Sequence, residues 1–186
     1  MKYLVPTLAL IAAAATPALA QQKLVPAQSE IAFTSRQMGV PVDGRFRKFD
    51  AQVAFDPKKP ERAKISFSID IGSATLGSAE TEAELVKPEW FDTRLFPQAT
   101  FRSSAVKATG AGRFDVVGKL AIKGASQDVV VPVTLAQAAG STTASGAFVI
   151  KRLDFGIGDG DWKDTSMVAN DVQVRFKLTL SGVGAL

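Results

Sequence analysis

The sequence predicts an all-β chain, eight antiparallel strands closed into an up-and-down barrel, with a short helix in the connector 72–97. Three observations predict it. Apolar and polar residues alternate with period two through most of the chain. The alternating stretches are joined by short turns punctuated by Gly and Pro. Most of them follow one another with no helix between, which argues for an antiparallel meander and against βαβ units.

The elements follow in order. A strand covers 29–36, and a longer one 44–56. Asp56-Pro57-Lys58-Lys59-Pro60 is a proline-punctuated loop. Ile65, Phe67, Ile69 and Ile71 then alternate with Lys64, Ser66, Ser68 and Asp70. Residues 72–97 are too long for a hairpin. Within them Thr81-Glu82-Ala83-Glu84 reads as a capping box with Thr81 as N-cap, so a helix is expected over roughly 82–87. Pro88 starts a further turn through Trp90-Phe91. A strand over 98–108 turns at Gly110-Ala111-Gly112. Phe114, Val116, Leu120 and Ile122 then alternate with Arg113, Asp115, Lys119 and Lys123. Lys123-Gly124-Ala125-Ser126 turns into 127–138, and Ala139-Gly140-Ser141 into 142–152. Residues 153–169, rich in Gly and Asp and carrying Trp162, read as a loop that covers something. The last strand sets Val172, Val174, Phe176, Leu178 and Leu180 against Gln173, Arg175, Lys177 and Thr179.

Length and composition set the outer limits. The chain has 186 residues, 46% hydrophobic and 22% charged, which is enough for one globular domain and excludes a disordered chain. It has no Cys and no His. That removes disulfides, thiol nucleophiles, Cys-based zinc sites, and the commonest general base and metal ligand. The formal net charge is +4 and the basic residues are scattered, so no nucleic-acid footprint is expected.

The first twenty residues read as a secretion signal. Met1-Lys2 precedes an apolar run from Leu4 to Ala15, then Pro17 and Ala18-Leu19-Ala20 before Gln21. The run is shorter than the about 20 residues a membrane span needs. Cleavage is expected after Ala20, leaving one domain over 21–186 in the periplasm.

Eight strands with one dry face can close into a barrel or stack as a sandwich. Closure removes aggregation-prone edges. An outer-membrane barrel would put Lys64, Lys119, Arg175 and Lys177 against lipid, at about 2–4 kcal/mol each near mid-bilayer. The inside-apolar barrel is the reading taken. Its dry faces are rich in Phe: Phe33, Phe46, Phe55, Phe67, Phe101, Phe114 and Phe176. If they leave a void, the wall is an apolar tube suited to a hydrocarbon chain, since each buried CH₂ contributes about 0.8 kcal/mol. Small inward residues (Ala51, Ser103, Gly118) favour space over filling.

Several ordered pieces carry a family resemblance. They are Ser29-x-Ile31-x-Phe33, Gly44-Arg45-Phe46, Phe55-Asp56-Pro57 and Ile69 to Ser73. Further along come Trp90-Phe91-Asp92, Phe96-Pro97-x-x-Thr100-Phe101-Arg102-Ser103, Gly118 to Gly124, and Arg152-Leu153-Asp154-Phe155-Gly156-Ile157-Gly158. In order, behind a leader, they resemble the YceI-like family over essentially all of 24–182. The resemblance implies a lipocalin-like barrel whose tunnel holds an isoprenoid chain, such as a polyprenyl lipid or quinone precursor. It implies looser links to stress response and quinone biology. Where members of the family often carry His, this chain has Gln37, Glu84 and Lys123.

The expected function is therefore a non-enzymatic periplasmic carrier of an isoprenoid or quinone-type lipid, with no cofactor or metal, as monomer or homodimer. Phe33, Met38, Phe46, Phe55, Phe67, Ile69, Phe101, Phe114 and Phe176 are the expected tail contacts. Trp90, Phe91 and Trp162 are expected to plug or gate the mouth. Arg36, Arg102 and Arg152 are candidates for the head group through bidentate bonds, or for rim ion pairs, Arg152–Asp154 first among them. Asp159-Gly160-Asp161 lacks the full calcium-loop pattern and reads as turn chemistry. The alternative is a solid-core barrel that works by its outer surface beside a membrane electron-transfer or stress-response partner. An Asp154 and Glu84 enzyme ranks last.

Overall fold

A computed structural model of the chain describes residues 21–186; the expected leader, 1–20, lies outside the described residues. The strands are β1 (Gln21–Leu24), β2 (Glu30–Gln37), β3 (Val40–Phe46), β4 (Phe49–Ala54), β5 (Lys64–Asp70) and the two-residue β6 (Ala74–Thr75). They continue as β7 (Gln98–Gly110), β8 (Arg113–Ile122), β9 (Ala125–Ala138), β10 (Ser141–Lys151) and β11 (Asp171–Ser181), with one α-helix, α1 (Ala79–Leu85).

All pairings are antiparallel, and they close the sheet into a barrel of eight staves. Two staves are bent strands. β1 and β2 form one, broken by a 3-10 turn at Pro26–Gln28; β3 and β4 form the next, broken at Arg47 and Lys48. β11 closes the ring. One edge pairs with β10 throughout, from Ser141↔Ser181 to Lys151↔Asp171. The other pairs first with β2, through Gln173↔Thr34 to Lys177↔Glu30, then with β1 at Leu24↔Leu180. β1 in turn pairs with β4 at Gln22↔Val53.

The expected alternation survives closure. Phe114, Val116, Leu120 and Ile122 are buried on β8, while Arg113 and Lys119 face water. Three hairpins turn on two residues of positive φ: Met38-Gly39, Lys123-Gly124 and Ala139-Gly140. These backbone angles match the right-handed twist of the strands they join. β9 and β10 pair only up to Thr134↔Ser145. Pro132 explains the parting: its carbonyl points at Gly146 of β10, and on that side it has no N–H to give.

Three local features differ from expectation. The helix begins at Ala79, because Ser78 and not Thr81 is the N-cap; its side chain accepts from the Thr81 N–H. β1 was not anticipated, since Gln-Gln-Lys-Leu carries no alternation; tertiary pairing with β4 and β11 makes it a strand. Thr179, expected on the wet face, is buried. The turn at Pro26–Gln28 folds over it, and its hydroxyl donates to the Gln28 carbonyl at 2.9 Å.

One barrel end carries both long connectors, 71–97 and 152–170. They are tied together. The amides of Gly158 and Asp159 donate to the Glu89 carbonyl at 2.9 and 2.8 Å. The Lys123 ammonium donates to the carbonyls of Pro88 and Gly156, both at 2.7 Å.

Arg152 organises the second connector from within. It is 2% exposed. Its Nε donates to the Ala169 carbonyl (3.1 Å), Nη1 to Ile157 and Gly158 (2.8 and 3.1 Å), and Nη2 to Trp162 and Val168 (2.6 and 2.7 Å). All five N–H groups of the guanidinium are thereby used. Burial pushes its pKa below the ordinary value, though an arginine stays charged in proteins. The Arg152–Asp154 ion pair expected from sequence does not form, because the guanidinium turns inward to carbonyls while Asp154 is exposed.

Two predictions follow from these anchors. Arg152→Leu strands buried carbonyls, and urea unfolding should show a loss of about 3 kcal/mol or more; Arg152→Lys, with three donors, should recover only part of it. The second concerns acid. Glu82 accepts from the Thr75 hydroxyl and from the Leu76 and Gly77 amides, which holds its carboxyl below the usual value of 4.5. Asp159, through Lys163 and the Gly160 amide, and Asp164, through Ser166, are lowered in the same way. A lowered folded pKa stabilises above the unfolded pKa, and that stability is lost as pH falls through the folded value. The urea midpoint should therefore hold down to about pH 4.5 and then drop, more shallowly for Glu82→Gln.

Candidate functional site

The barrel interior is not filled. An inner chamber of about 150 Å³ is lined by Ile, Val, Phe, Leu and Ala alone. An engineered cavity of about that size and lining stays dry and binds benzene, so a chamber of this kind holds hydrocarbon and not water. It lies toward the end opposite the long connectors, among Val53, Phe55, Val106, Phe114 and Leu180. An upper chamber of about 370 Å³ lies at the connector end. The two share Ile31, Ile69, Leu120, Phe148 and Val174 as lining, which makes these residues the neck between them.

The upper chamber is mixed in character. Phe33, Phe46, Ile122 and Ile150 form its wall, while Ser35, Gln37, Glu80, Thr81 and Glu84 bring polar groups from β2 and α1. The same alternation that makes β2 a wall thus ends in polar residues at the rim. Trp90 of the first connector meets Trp162 of the second with ring centroids 5.4 Å apart. Both line the upper chamber, as does Phe91. The site is an apolar inner chamber adjoining a wider, mostly apolar vestibule that carries a few polar groups and an aromatic pair in its wall.

Most of the residues singled out from sequence come together here. Phe55, Phe67, Phe101, Phe114 and Phe176 line the inner chamber, Phe33 and Phe46 the upper, and Ile69 both. Three others do not join them. Met38 stands on the tip of the β2–β3 hairpin, 68% exposed. Arg36 lies on the outward parity of β2, its Nη1 donating to the Gly39 carbonyl at 3.2 Å. Arg102 faces outward on β7. Arg152 reaches the upper chamber, but its N–H groups are spent on the connector. The other polar side chains on that lining are Ser35, Gln37, Glu80, Thr81 and Glu84. Glu84 is itself paired with Lys87.

The three positions where the family habit is His separate here. Gln37 and Glu84 line the upper chamber, whereas Lys123 acts as a tie between connectors. Sequence reasoning missed Phe148 and Ile150, which sit on the least regular alternation, and Leu85 and Val168, which come from the helix and a loop. Gly118 does not leave the space its residue type suggests: in the barrel the Phe101 ring occupies it, 2.5 Å from where a Cβ would stand. Asp154 and Glu84 do not form a site: Glu84 is at the chamber rim and Asp154 is outside the lining.

Comparison with known proteins agrees with this architecture. The sequence profile of the YceI-like domain matches residues 22–180. Among solved structures, BcnA of Burkholderia cenocepacia superposes with a TM-score of 0.82 at 43% identity, covering 84% of this chain and 99% of that one. A polyisoprenoid binding domain from Saccharophagus degradans superposes at 0.71 with 18% identity, covering 89% and 99%; at that identity it speaks for the fold alone. A UPF0312 protein of Azotobacter vinelandii is 34% identical over 88 residues, 47% of this chain and 46% of its own length. The chain thus spans about half the length of the curated relatives it matches. With the profile covering nearly the whole barrel and BcnA sharing the fold over 84% of this chain, the chain belongs to the YceI-like domain family.

Proposed function

We propose that this protein is a periplasmic, non-enzymatic carrier that holds an isoprenoid-type lipid, with the tail in the inner chamber and the head in the upper one. The observation that carries the reading is the inner chamber itself, a void whose every lining residue is apolar. Such a void offers nothing to a polar substrate, and each methylene placed in it contributes about 0.8 kcal/mol. The vestibule supplies hydrogen-bonding groups where a head would emerge. Membership of the YceI-like family, whose resemblance implies an isoprenoid chain, supports the choice of an isoprenoid over a straight acyl chain. A barrel that worked by its outer surface alone would gain nothing from an open interior, which counts against the solid-core alternative. The carrier reading includes delivery of the lipid to a membrane or redox partner at the connector end.

Gentle purification followed by lipid mass spectrometry should find a copurifying prenyl lipid. Delipidated protein should then take up farnesol, with a change in Trp90 and Trp162 emission. Leu120→Trp places an indole in the neck. It should reduce farnesol affinity at least tenfold, at a stability cost of about 1–3 kcal/mol. Repeated failure of delipidated wild-type protein to take up any prenyl alcohol would overturn the reading.

A further inference from the structure

Three inward positions of the barrel are glycine: Gly44 on β3, Gly118 on β8 and Gly146 on β10. Each is covered by a phenylalanine from an adjoining strand. A Cβ at Gly44 would stand 2.2 Å from the Phe33 Cζ, one at Gly118 2.5 Å from the Phe101 Cζ, and one at Gly146 2.6 Å from the Phe176 Cζ. The ring tip thus takes the place of the missing side chain. A ring that leans along the wall onto a neighbouring strand is a ring that does not project toward the barrel axis. These pairs make room in a barrel whose dry face is otherwise crowded with phenylalanine.

The three positions are not equivalent. A Cβ at Gly118 also meets the Arg102 carbonyl at 2.5 Å, and one at Gly146 the Pro132 carbonyl at 2.2 Å. There glycine is also required by close backbone approach. At Gly44 the three nearest atoms all belong to the Phe33 ring. The two residues are direct cross-strand partners, and Gly44 has no positive φ. The first demand of an alanine at 44 is therefore that the Phe33 ring move. Phe46 already packs beside it, with centroids 5.3 Å apart. The space left to the displaced ring is the upper chamber, which Phe33 lines.

We propose that Gly44 is a specificity-determining position. By letting Phe33 lie against β3, it keeps the upper chamber wide enough for an isoprenoid whose head is a ring. The inference rests on the chambers being the lipid site, with the head in the upper one. It places the choice between a ring head and a small head in one hydrogen-to-methyl change.

The test uses two isoprenoids with the same tail, farnesol (a hydroxyl head) and farnesyl hydroquinone (a ring head), titrated against delipidated protein. The readout is emission from Trp90 and Trp162, the two tryptophans of the chain. Wild type should bind both. Gly44→Ala should weaken farnesyl hydroquinone about tenfold or more while farnesol stays within about twofold, the scale on which a pocket discriminates small steric changes. The double variant Gly44→Ala/Phe33→Ala removes the displaced ring and should restore farnesyl hydroquinone binding. Farnesyl hydroquinone affinity unchanged in Gly44→Ala would overturn the proposal. So would a double variant that melts as a folded barrel yet shows no rescue. Wild-type protein that binds farnesol but not farnesyl hydroquinone also overturns it, leaving the carrier reading intact. Wild type that binds neither ends both.

Discussion

A closed antiparallel barrel has a single dry side, and here that side serves both as hydrophobic core and as cavity. Among the described residues no helix layer packs outside to supply a second core; outward charges such as Lys119 and Asp128 pair with each other in water. Whatever volume is left inside is subtracted from the packing that holds the fold together. At about 24 cal/mol per Å³ of residual void, the inner chamber of about 150 Å³ costs about 3–4 kcal/mol when empty. That is a sizeable part of the roughly 5–15 kcal/mol by which a domain is stable. A hydrocarbon occupant would return much of it. Emptiness and affinity are thus two descriptions of one free energy.

The barrel offsets the void by concentrating order at its two ends. Away from the connectors, the N-terminal stave bends over Thr179, and the buried Gln22 accepts from the Phe55 amide at 2.7 Å. At the connector end, polar atoms do the fastening. Arg152 gathers five carbonyls of one connector, Lys123 ties that connector to the other, and Glu82 collects a hydroxyl and two amides beside the helix. Charge is used here to satisfy backbone groups that no strand can pair. Among the described residues, no buried side-chain nitrogen or oxygen lacks a hydrogen-bond partner. A rigid vestibule is a condition for the selectivity assigned to it, because a wall that yields cannot exclude.

The same economy explains the charge distribution at the site. The cation on the lining of the upper chamber, Arg152, has its donors committed to the fold. The cations expected to greet a head group, Arg36 and Arg102, follow strand parity to the outside. The polar groups that remain on the lining are amide, hydroxyl and carboxylate, which suit a head able to donate hydrogen bonds better than one made only of acceptors. Residue type suggested a basic clamp; parity and backbone demand assigned those residues elsewhere.

Much of this protein was legible without coordinates, because period-two alternation is local and survives any closure of the sheet. It determined the eight staves, the meander order, the inward set from Ile31 to Phe176, and the two connectors that had to cover an end. The ordered residues between Ser29 and Gly158 also carried the family. What the tertiary structure decided depends on contacts distant in sequence. Whether the rings fill the barrel turns on where each can lean, and glycine positions on neighbouring strands settle that: Phe33 on Gly44, Phe101 on Gly118, Phe176 on Gly146. Whether Arg152 meets a ligand turns on five carbonyls spread over residues 157–169. Whether Gln22 belongs to a strand turns on Val53 and the closing edge of β11. Alternation says which side of a strand is dry; only the closed ring says how much of that dryness is occupied.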